Sequence, residues 1–454
     1  MRYHVVGIGG AGMSALARLL LARGDEVSGS DNGRWPLADA LARDGAHVAT
    51  RFDAGNIARA DVVIRSSAYG DTNPEIAAAR AAGVPVWKRE DAWRELSRGK
   101  RVVAIAGTHG KSTTTAMTWA ALRGVGIDAS LVCGAVLLDI GANAHAGTSD
   151  VLVIEADEYD RAFLALAPAV AVVLNIEHDH VDVFPTLADV AQAFADFADR
   201  IVPGGTLVAC ADDALAAALS RARAARGLPA RTYGSGAAAQ YRVTAPADSA
   251  DGTAFTLALG SGGGAVPVVL QLPGMHNALN AAAAIAAAHA LGGAPVDAAR
   301  ALASFAGTGR RLETLGEANG VTVVDDYAHH PSEIRASLAA MRPRARRRLV
   351  VVFQPHTPSR LRAFFDDFAS ALRSADERIV VETFASAREA PDDRAGARAL
   401  AERAGGRYAA DAAAAANIVA EGAGPGDVVL VLGAGDIRPA GERLLELLRE
   451  RAAV

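Results

Sequence analysis

Short apolar runs, each ending in glycine or in polar residues, recur along the whole chain. Tyr3-His4-Val5-Val6 comes first, then 26–31, 61–67 and Pro85-Val86-Trp87. Apolar runs of this length, bounded by turn residues, read as strands. A second set opens with Val102-Val103-Ala104-Ile105-Ala106 and continues through 150–158, 169–180, 204–209 and the 251–272 region. The last of these alternates and carries Gly-rich turns, which predicts an antiparallel edge. A third set, 321–326, 349–354, 378–384 and 427–432, alternates with helical segments. That rhythm predicts α/β sheets, and three sets in 454 residues predict three domains: 1–98, 99–309 and 310–454.

The residues that close these runs suggest chemistry. Gly107-Thr108-His109-Gly110-Lys111-Ser112-Thr113 follows a buried strand and opens a Thr-rich helix. It is a shortened phosphate loop, with Ile105 where the full G-x-x-x-x-G-K-[ST] pattern has its first glycine. Backbone N–H groups and a helix N-terminus can converge there on phosphate oxygens. Lys111 is placed to reach the β- and γ-phosphates, and the Ser112 hydroxyl to ligate Mg²⁺. After the first strand, Gly7, Gly9 and Gly12 satisfy G-x-G-x-x-G, and Asp31 ends the second strand where a ribose-binding acid would sit. That turn suits NAD or the pyrophosphate of any nucleotide diphosphate. Ser66 and Ser67 end the third strand.

In the second set, Glu155, Asp157 and Glu158 end one strand, and Asn175 to His180 end another. Carboxylates beside a phosphate loop suit Mg²⁺, which prefers oxygen ligands. Zinc at His178 and His180 is the rival, without a thiolate nearby. An exposed polar loop is the plain alternative for His178. Asn277 and Asn280, one turn apart before an alanine-rich helix, read either as N-caps or as a pair that reads a base edge. Arg310 and Arg311 lie in a joint before the third set. The loops of that set carry Asp325-Asp326-Tyr327-Ala328-His329-His330-Pro331 and Phe353-Gln354-Pro355-His356-Thr357-Pro358-Ser359-Arg360. Polar clusters directly after strands are where open α/β sheets bind ligands.

Composition narrows the choices. With 51% hydrophobic and 21% charged residues the chain is a soluble globular type, and a net charge of −5 argues against a nucleic-acid partner. Cys133 and Cys210 fit neither a disulfide framework nor a zinc site, which points to the cytoplasm. The start reads as a strand rather than a signal peptide. The longest apolar stretch, 281–292, is too short for membrane insertion. Monomer and homodimer both remain open.

These segments, in this order, resemble the Mur ligase family, ATP-dependent amide-bond ligases of peptidoglycan precursor synthesis. The matching stretches are 7–14, 107–115, 155–160, 175–182, 274–280, 310–313, 325–333 and 353–360. The resemblance implies a Rossmann-like N-terminal domain, a central P-loop ATPase-like α/β domain and a C-terminal Rossmann-like α/β domain. It implies an enzyme with ATP and Mg²⁺ as cofactors, joining L-alanine to the carboxylate of UDP-N-acetylmuramate. A ready-made tripeptide as the amine is the alternative. A nucleotide-binding regulatory protein is the reading from another class.

On this resemblance Gly9, Gly10, Ala11, Gly12, Met13 and Ser14 meet the UDP pyrophosphate, with Asp31, Ser66 and Ser67 nearby. His276, Asn277 and Asn280 face adenine, Asp326 the ribose, and Arg310 or Arg311 a phosphate. Glu155 and His180 join Ser112 as metal ligands. Lys111 stabilises the transferring phosphoryl group. His329 is a candidate base for the amine, Tyr327 lies at the substrate, and His356 and Arg360 are candidates to clamp the amino-acid carboxylate. Family members that take alanine usually carry Arg directly after the His of Phe-Gln-Pro-His, where this chain has Thr357.

Overall fold

Strand Arg2–Val6 pairs in parallel with Glu26–Ser30 on one side and Val62–Arg65 on the other. His47–Ala49 and Val86–Lys88 complete this first, wholly parallel sheet. The computed structural model describes residues 1–181, 183–249, 252–260, 262–384 and 396–452. Asp182, Asp251 and Ser261, which fall within segments read from the sequence, lie outside the described residues.

Among the described residues two further sheets form. The central sheet runs in the order Ala265–Leu270, Gly252–Leu259, Tyr241–Ser249, Ala230–Gly234, Thr206–Cys210, Pro168–Val173, Arg101–Ala106, Val151–Glu155, Ser130–Leu137, Ala142–His145. Its first three strands pair antiparallel, as the alternation at 251–272 predicts. Its middle is parallel, and Ala142–His145 adds an antiparallel strand at the other edge. The third sheet runs Glu313–Ala318, Val321–Asp326, Val428–Leu432, Leu349–Phe353, Glu377–Val381, Arg407–Ala409, with only the first pair antiparallel. The fold is thus α/β throughout, mostly parallel, as the strand–helix rhythm predicts. Short or half-exposed edge strands such as His47–Ala49, Ala142–His145 and Arg407–Ala409 carry no apolar run and went unread. Glu313, the last residue of the joint expected at 309–313, opens the strand Glu313–Ala318, which the sequence reading did not include.

Packing brings the sites together. The strand Arg101–Ala106 is buried from Val102 onward, and the helix Lys111–Gly124 starts directly after its loop. That helix packs on Met275–Ala290, whose residues from Ala281 to Ala288 are fully buried. Alanines let two helices and the sheet approach closely, so the loop rests on a dense floor. Among the described residues no helix is long and apolar enough to cross a membrane.

Candidate active site

A cavity of about 1230 Å³ opens between the three sheets. Its wall takes Gly7, Gly9 and Asp31 from the first, Lys111, Ser112 and Glu155 from the second, and Arg311, His329 and Arg360 from the third. All but Arg311 lie at or past the carboxyl end of a parallel strand, where open α/β sheets converge on ligands, and Arg311 enters from the segment that precedes the antiparallel strand Glu313–Ala318.

The phosphate loop is built as its sequence requires. Gly110 has φ +81° and stands as N-cap of the helix Lys111–Gly124. A β-carbon there would lie 2.9 Å from Asn280 Oδ1, so both backbone and space call for glycine. Lys111 Nζ folds back, donating to the carbonyls of Gly107 (2.7 Å) and Thr108 (3.1 Å) and to Glu158 Oε1 (2.9 Å). Burial works against its charge, but Glu158 and Asp157 hold its pKa above the ordinary lysine value. The ammonium is therefore charged and parked beside the site a phosphate would fill. Asn175 clasps the loop, its Oδ1 accepting from His109 N at 2.7 Å and its Nδ2 donating to His109 O at 3.2 Å.

Ser112 Oγ donates to Glu155 Oε1 at 3.0 Å, and Gly134 N donates to Glu155 Oε2 at 2.6 Å. Hydroxyl and carboxylate oxygens beside a phosphate loop are the donor set that a hard divalent cation takes. His180, at φ +51°, turns its ring to Glu158, with Nε2 3.4 Å from Oε1. Asp157, Glu158 and His180 bring ligand atoms within 4.8 Å of one another. The structure thus separates the three expected metal ligands into two neighbouring groups: Ser112 with Glu155, and His180 with Glu158. The His178/His180 pair does not converge, because His178 Nε2 donates to the carbonyl of Phe184 (3.0 Å).

In the first sheet's turn, Asp31 Oδ2 accepts from Gly9 N (2.8 Å) and Oδ1 from the Tyr69 hydroxyl (3.2 Å). Burial and the Asp31 charge push Tyr69 up to about 12. Asp31 therefore shapes the glycine turn from the cavity wall. Ser66 and Ser67 also line the wall, with Gly10 and Ala11. Gly12, Met13 and Ser14 do not reach it. Met13 and Ser14 are buried in the first helical turn, where Asn143 Nδ2 donates to Ser14 Oγ (3.0 Å) and Ala11 O (2.7 Å).

On the third sheet, Arg310 donates to Asp325 (3.2 Å) and to the carbonyls of Gly433 (2.7 Å) and Gly435 (3.2 Å). Arg310 and Arg311 each lie over the Tyr327 ring, 5.1 Å from its centre. Asp326 is off the cavity. Its carboxylate accepts from Leu312 N (3.0 Å), Ala328 N (2.7 Å) and Ser337 Oγ (3.3 Å), which ties it to the strand–helix turn. Burial raises it to about 6. His276, Asn277 and Asn280 also lie behind the wall. Neither asparagine caps the helix: Asn277 Nδ2 donates to Pro273 O (2.8 Å), and Asn280 Nδ2 to Asn277 Oδ1 (3.3 Å).

His329 Nδ1 donates to Tyr327 O at 2.9 Å, which fixes the tautomer and leaves the Nε2 lone pair as acceptor. Burial and the Arg360 charge lower it to about 3. It is neutral at neutral pH, the form a proton acceptor needs, but weakly basic. Arg360 is already engaged: its Nε (3.0 Å) and Nη2 (2.8 Å) donate to Asp179 Oδ1 of the central sheet. His356 stacks on Phe384, centroids 5.5 Å apart.

Several wall residues carry no individual role in the sequence reading. Asp157 and Asp179 lie inside quoted polar clusters, as does Glu158 behind the wall, so a signal existed. Arg89, which donates to Asp157 Oδ2 at 2.9 Å, and Tyr69 and Trp35 reach the wall from outside any motif.

Family models match the chain in series. The Mur ligase family, catalytic domain covers 2–101, the Mur ligase middle domain 105–288, and the Mur ligase, glutamate ligase domain 310–435. A UDP-N-acetylmuramate–L-alanine ligase from Arthrobacter sp. is 46% identical over 93% of this chain and 90% of its own length. Its counterpart from Kineococcus radiotolerans is 45% identical over 99% of this chain and 97% of its own. The crystal structure of UDP-N-acetylmuramate–alanine ligase from Thermotoga maritima superposes with a TM-score of 0.83, at 28% identity, covering 100% of both chains. A murein peptide ligase from Psychrobacter arcticus gives 0.73 at 26% identity, covering 99% of each.

Proposed function

Since the chain belongs to the Mur ligase family, we propose that it is an ATP-dependent ligase joining L-alanine to the carboxylate of UDP-N-acetylmuramate in peptidoglycan precursor synthesis. One observation carries the reading: a single cavity is lined by the glycine turn, the phosphate loop and the C-terminal loops. Three substrates can meet there only if all three sheets contribute.

A carboxylate resists attack by an amine because resonance and charge oppose it, and phosphorylation by ATP removes both obstacles. Lys111, charged and close to the loop, takes the β/γ-phosphate side on exchanging its carbonyl partners for phosphate oxygens. Ser112 and Glu155, with His180 and Glu158 beside them, would hold Mg²⁺, which would screen the repulsion between carboxylate and phosphate. Arg310 and Arg311 offer cations from the C-terminal side. Asp31, Ser66, Ser67 and the turn at Gly9 to Ala11 hold the UDP end. His329 offers Nε2 to the proton that the alanine ammonium must lose, and His356 and Arg360 stand where the amino-acid carboxylate would lie. Domain closure would keep water from the activated carboxylate.

Phosphate release from ATP and UDP-N-acetylmuramate tests this, with L-alanine, the tripeptide or no amine added. The expected result is release that depends on L-alanine. Release driven by the tripeptide, with L-alanine inert, would move the amine assignment to the peptide substrate. Release with neither amine would remove the ligase reading.

A further inference from the structure

His109 belongs to the phosphate loop by its backbone, which Asn175 grips from both sides. Its side chain leaves the loop and crosses to the C-terminal sheet. Nδ1 lies 3.2 Å from Glu333 Oε1, Nε2 lies 3.4 Å from Glu177 Oε2, and the ring stands 4.6 Å from that of His330. Ser332 Oγ donates to Glu177 Oε2 at 2.7 Å, closing the seam from the other side.

Glu333 is the hub of this seam. It lies in the first turn of the helix Pro331–Met341, and its Oε2 accepts from the backbone N–H groups of His329 (2.9 Å) and His330 (3.3 Å). The same oxygen lies 3.3 Å from His329 Nδ1, while Oε1 is 3.7 Å from Arg311 Nη1. One carboxylate therefore touches a phosphate-loop residue of the central domain and two cavity residues of the C-terminal domain. A helix cap needs none of the contacts to His109 and Arg311.

We propose that Glu333, paired with His109, is a positioning residue that couples the conformation of the phosphate loop to the placement of Arg311 and His329. The inference rests on the ligase reading above. When nucleotide fills the loop, any shift of the His109 backbone moves its ring against Glu333. Charge-assisted hydrogen bonds weaken steeply with distance and angle, so the shift is passed to the groups that Glu333 holds. The amine side of the cavity is thereby set only when the nucleotide side is filled.

Glu333→Gln separates coupling from capping, because glutamine also accepts the two backbone N–H groups of a capping box but carries no charge for His109 and Arg311. The experiment measures kcat and KM for ATP and L-alanine on the full chain, for wild type, Glu333→Gln, His109→Asn and the double variant. Each single change is expected to lower kcat about ten- to a hundredfold, the range that one charged hydrogen bond carries. The double variant is expected to be no worse than the more severe single. UDP-N-acetylmuramate affinity, measured by calorimetry, should be unchanged in all three. Losses that multiply in the double variant would overturn the coupling, as would Glu333→Gln with wild-type kinetics, which would leave Glu333 as a cap. A wild type without amine-dependent phosphate release would instead be a failure of the ligase reading.

Discussion

At the scale of single residues, the sequence identifies types and the fold decides where each is used. Lys111, Ser112 and Glu155 were legible because a phosphate loop is local: a strand, a turn and a helix start put them within a few residues of one another or at the end of a neighbouring strand. Asp326 and Asn277 lie off the cavity wall, a placement the sequence could not give because their partners are set by tertiary packing. The same carboxylate that could meet a ribose is bonded to Leu312 N and Ala328 N. Arg89 and Tyr69 could not be found, since nothing within reach of them in sequence hints at a ligand. Lys111 gives the sharpest test at this scale. It donates only within the central domain, whereas the glycine turn lies on another sheet. Lys111→Ala should abolish ligation while sugar-nucleotide affinity stays within about twofold, a change of only a few tenths of a kcal/mol. Calorimetric titration of the variant decides it, and a large loss of that affinity would break the assignment of the two sites to separate domains.

Elements explain why most parallel strands were easy to read and the edges were not, although the interior parallel strands Ser130–Leu137 and Ala230–Gly234 also went unread. A strand buried on both faces is a continuous apolar run, whereas an edge strand needs few apolar residues. Loops after the parallel strands carry the chemistry, and the one after Leu349–Phe353 departs from the family habit at Thr357. That residue has φ +71° and ψ 136°, is the N-cap of the helix Pro358–Ala363, and lines the cavity. The position is strained for any residue with a β-carbon, so replacing Thr by Arg adds reach and charge without a new backbone penalty. Arg360 cannot serve alone as a free clamp, because Asp179 already occupies two of its donors. Thr357→Arg should therefore lower KM for L-alanine, by up to about tenfold if one charged hydrogen bond to the carboxylate forms, with KM for ATP unchanged. Steady-state kinetics check it, and an unchanged or higher KM for L-alanine would place the amino-acid carboxylate elsewhere. Arg360→Ala is the less informative variant. It strands a buried carboxylate, which typically destabilises a fold by roughly 3–5 kcal/mol, and activity would fall for that reason alone.

For the whole molecule, the division into three α/β sheets follows from the rhythm of apolar runs, but the seams between the sheets are invisible in it. They are made of polar residues whose partners lie far away in the chain, and their histidines make stability depend on pH with opposite signs on the two sides of neutrality. Burial lowers His109, but the Glu177 and Glu333 carboxylates outweigh it and raise the imidazole to about 9. A histidine raised above its ordinary value of about 6.5 contributes stability that is complete below that value and is lost as pH rises through 9. Burial, reinforced by nearby positive charge, lowers His276 and His330 to about 4 and His329 to about 3. These imidazoles bind protons in the unfolded chain before they do in the fold, so their contribution is present above about 6.5 and is lost as pH falls through 4 and 3. Asp326, raised by burial to about 6, works the other way and offsets part of that loss, since acid protonates it more readily in the fold. Asp325 is likewise raised by burial, but Glu177, held down to about 2 by its hydrogen bond with His109, adds to the acid loss, so thermal stability should fall more steeply below neutrality than above it. The check is the unfolding midpoint by calorimetry from about pH 3 to about pH 9.5, a window that spans both sets of shifts. His109→Asn should flatten the alkaline limb and leave the acid limb in place. An alkaline limb identical in wild type and variant would show that His109 carries no seam-stabilising charge at neutral pH.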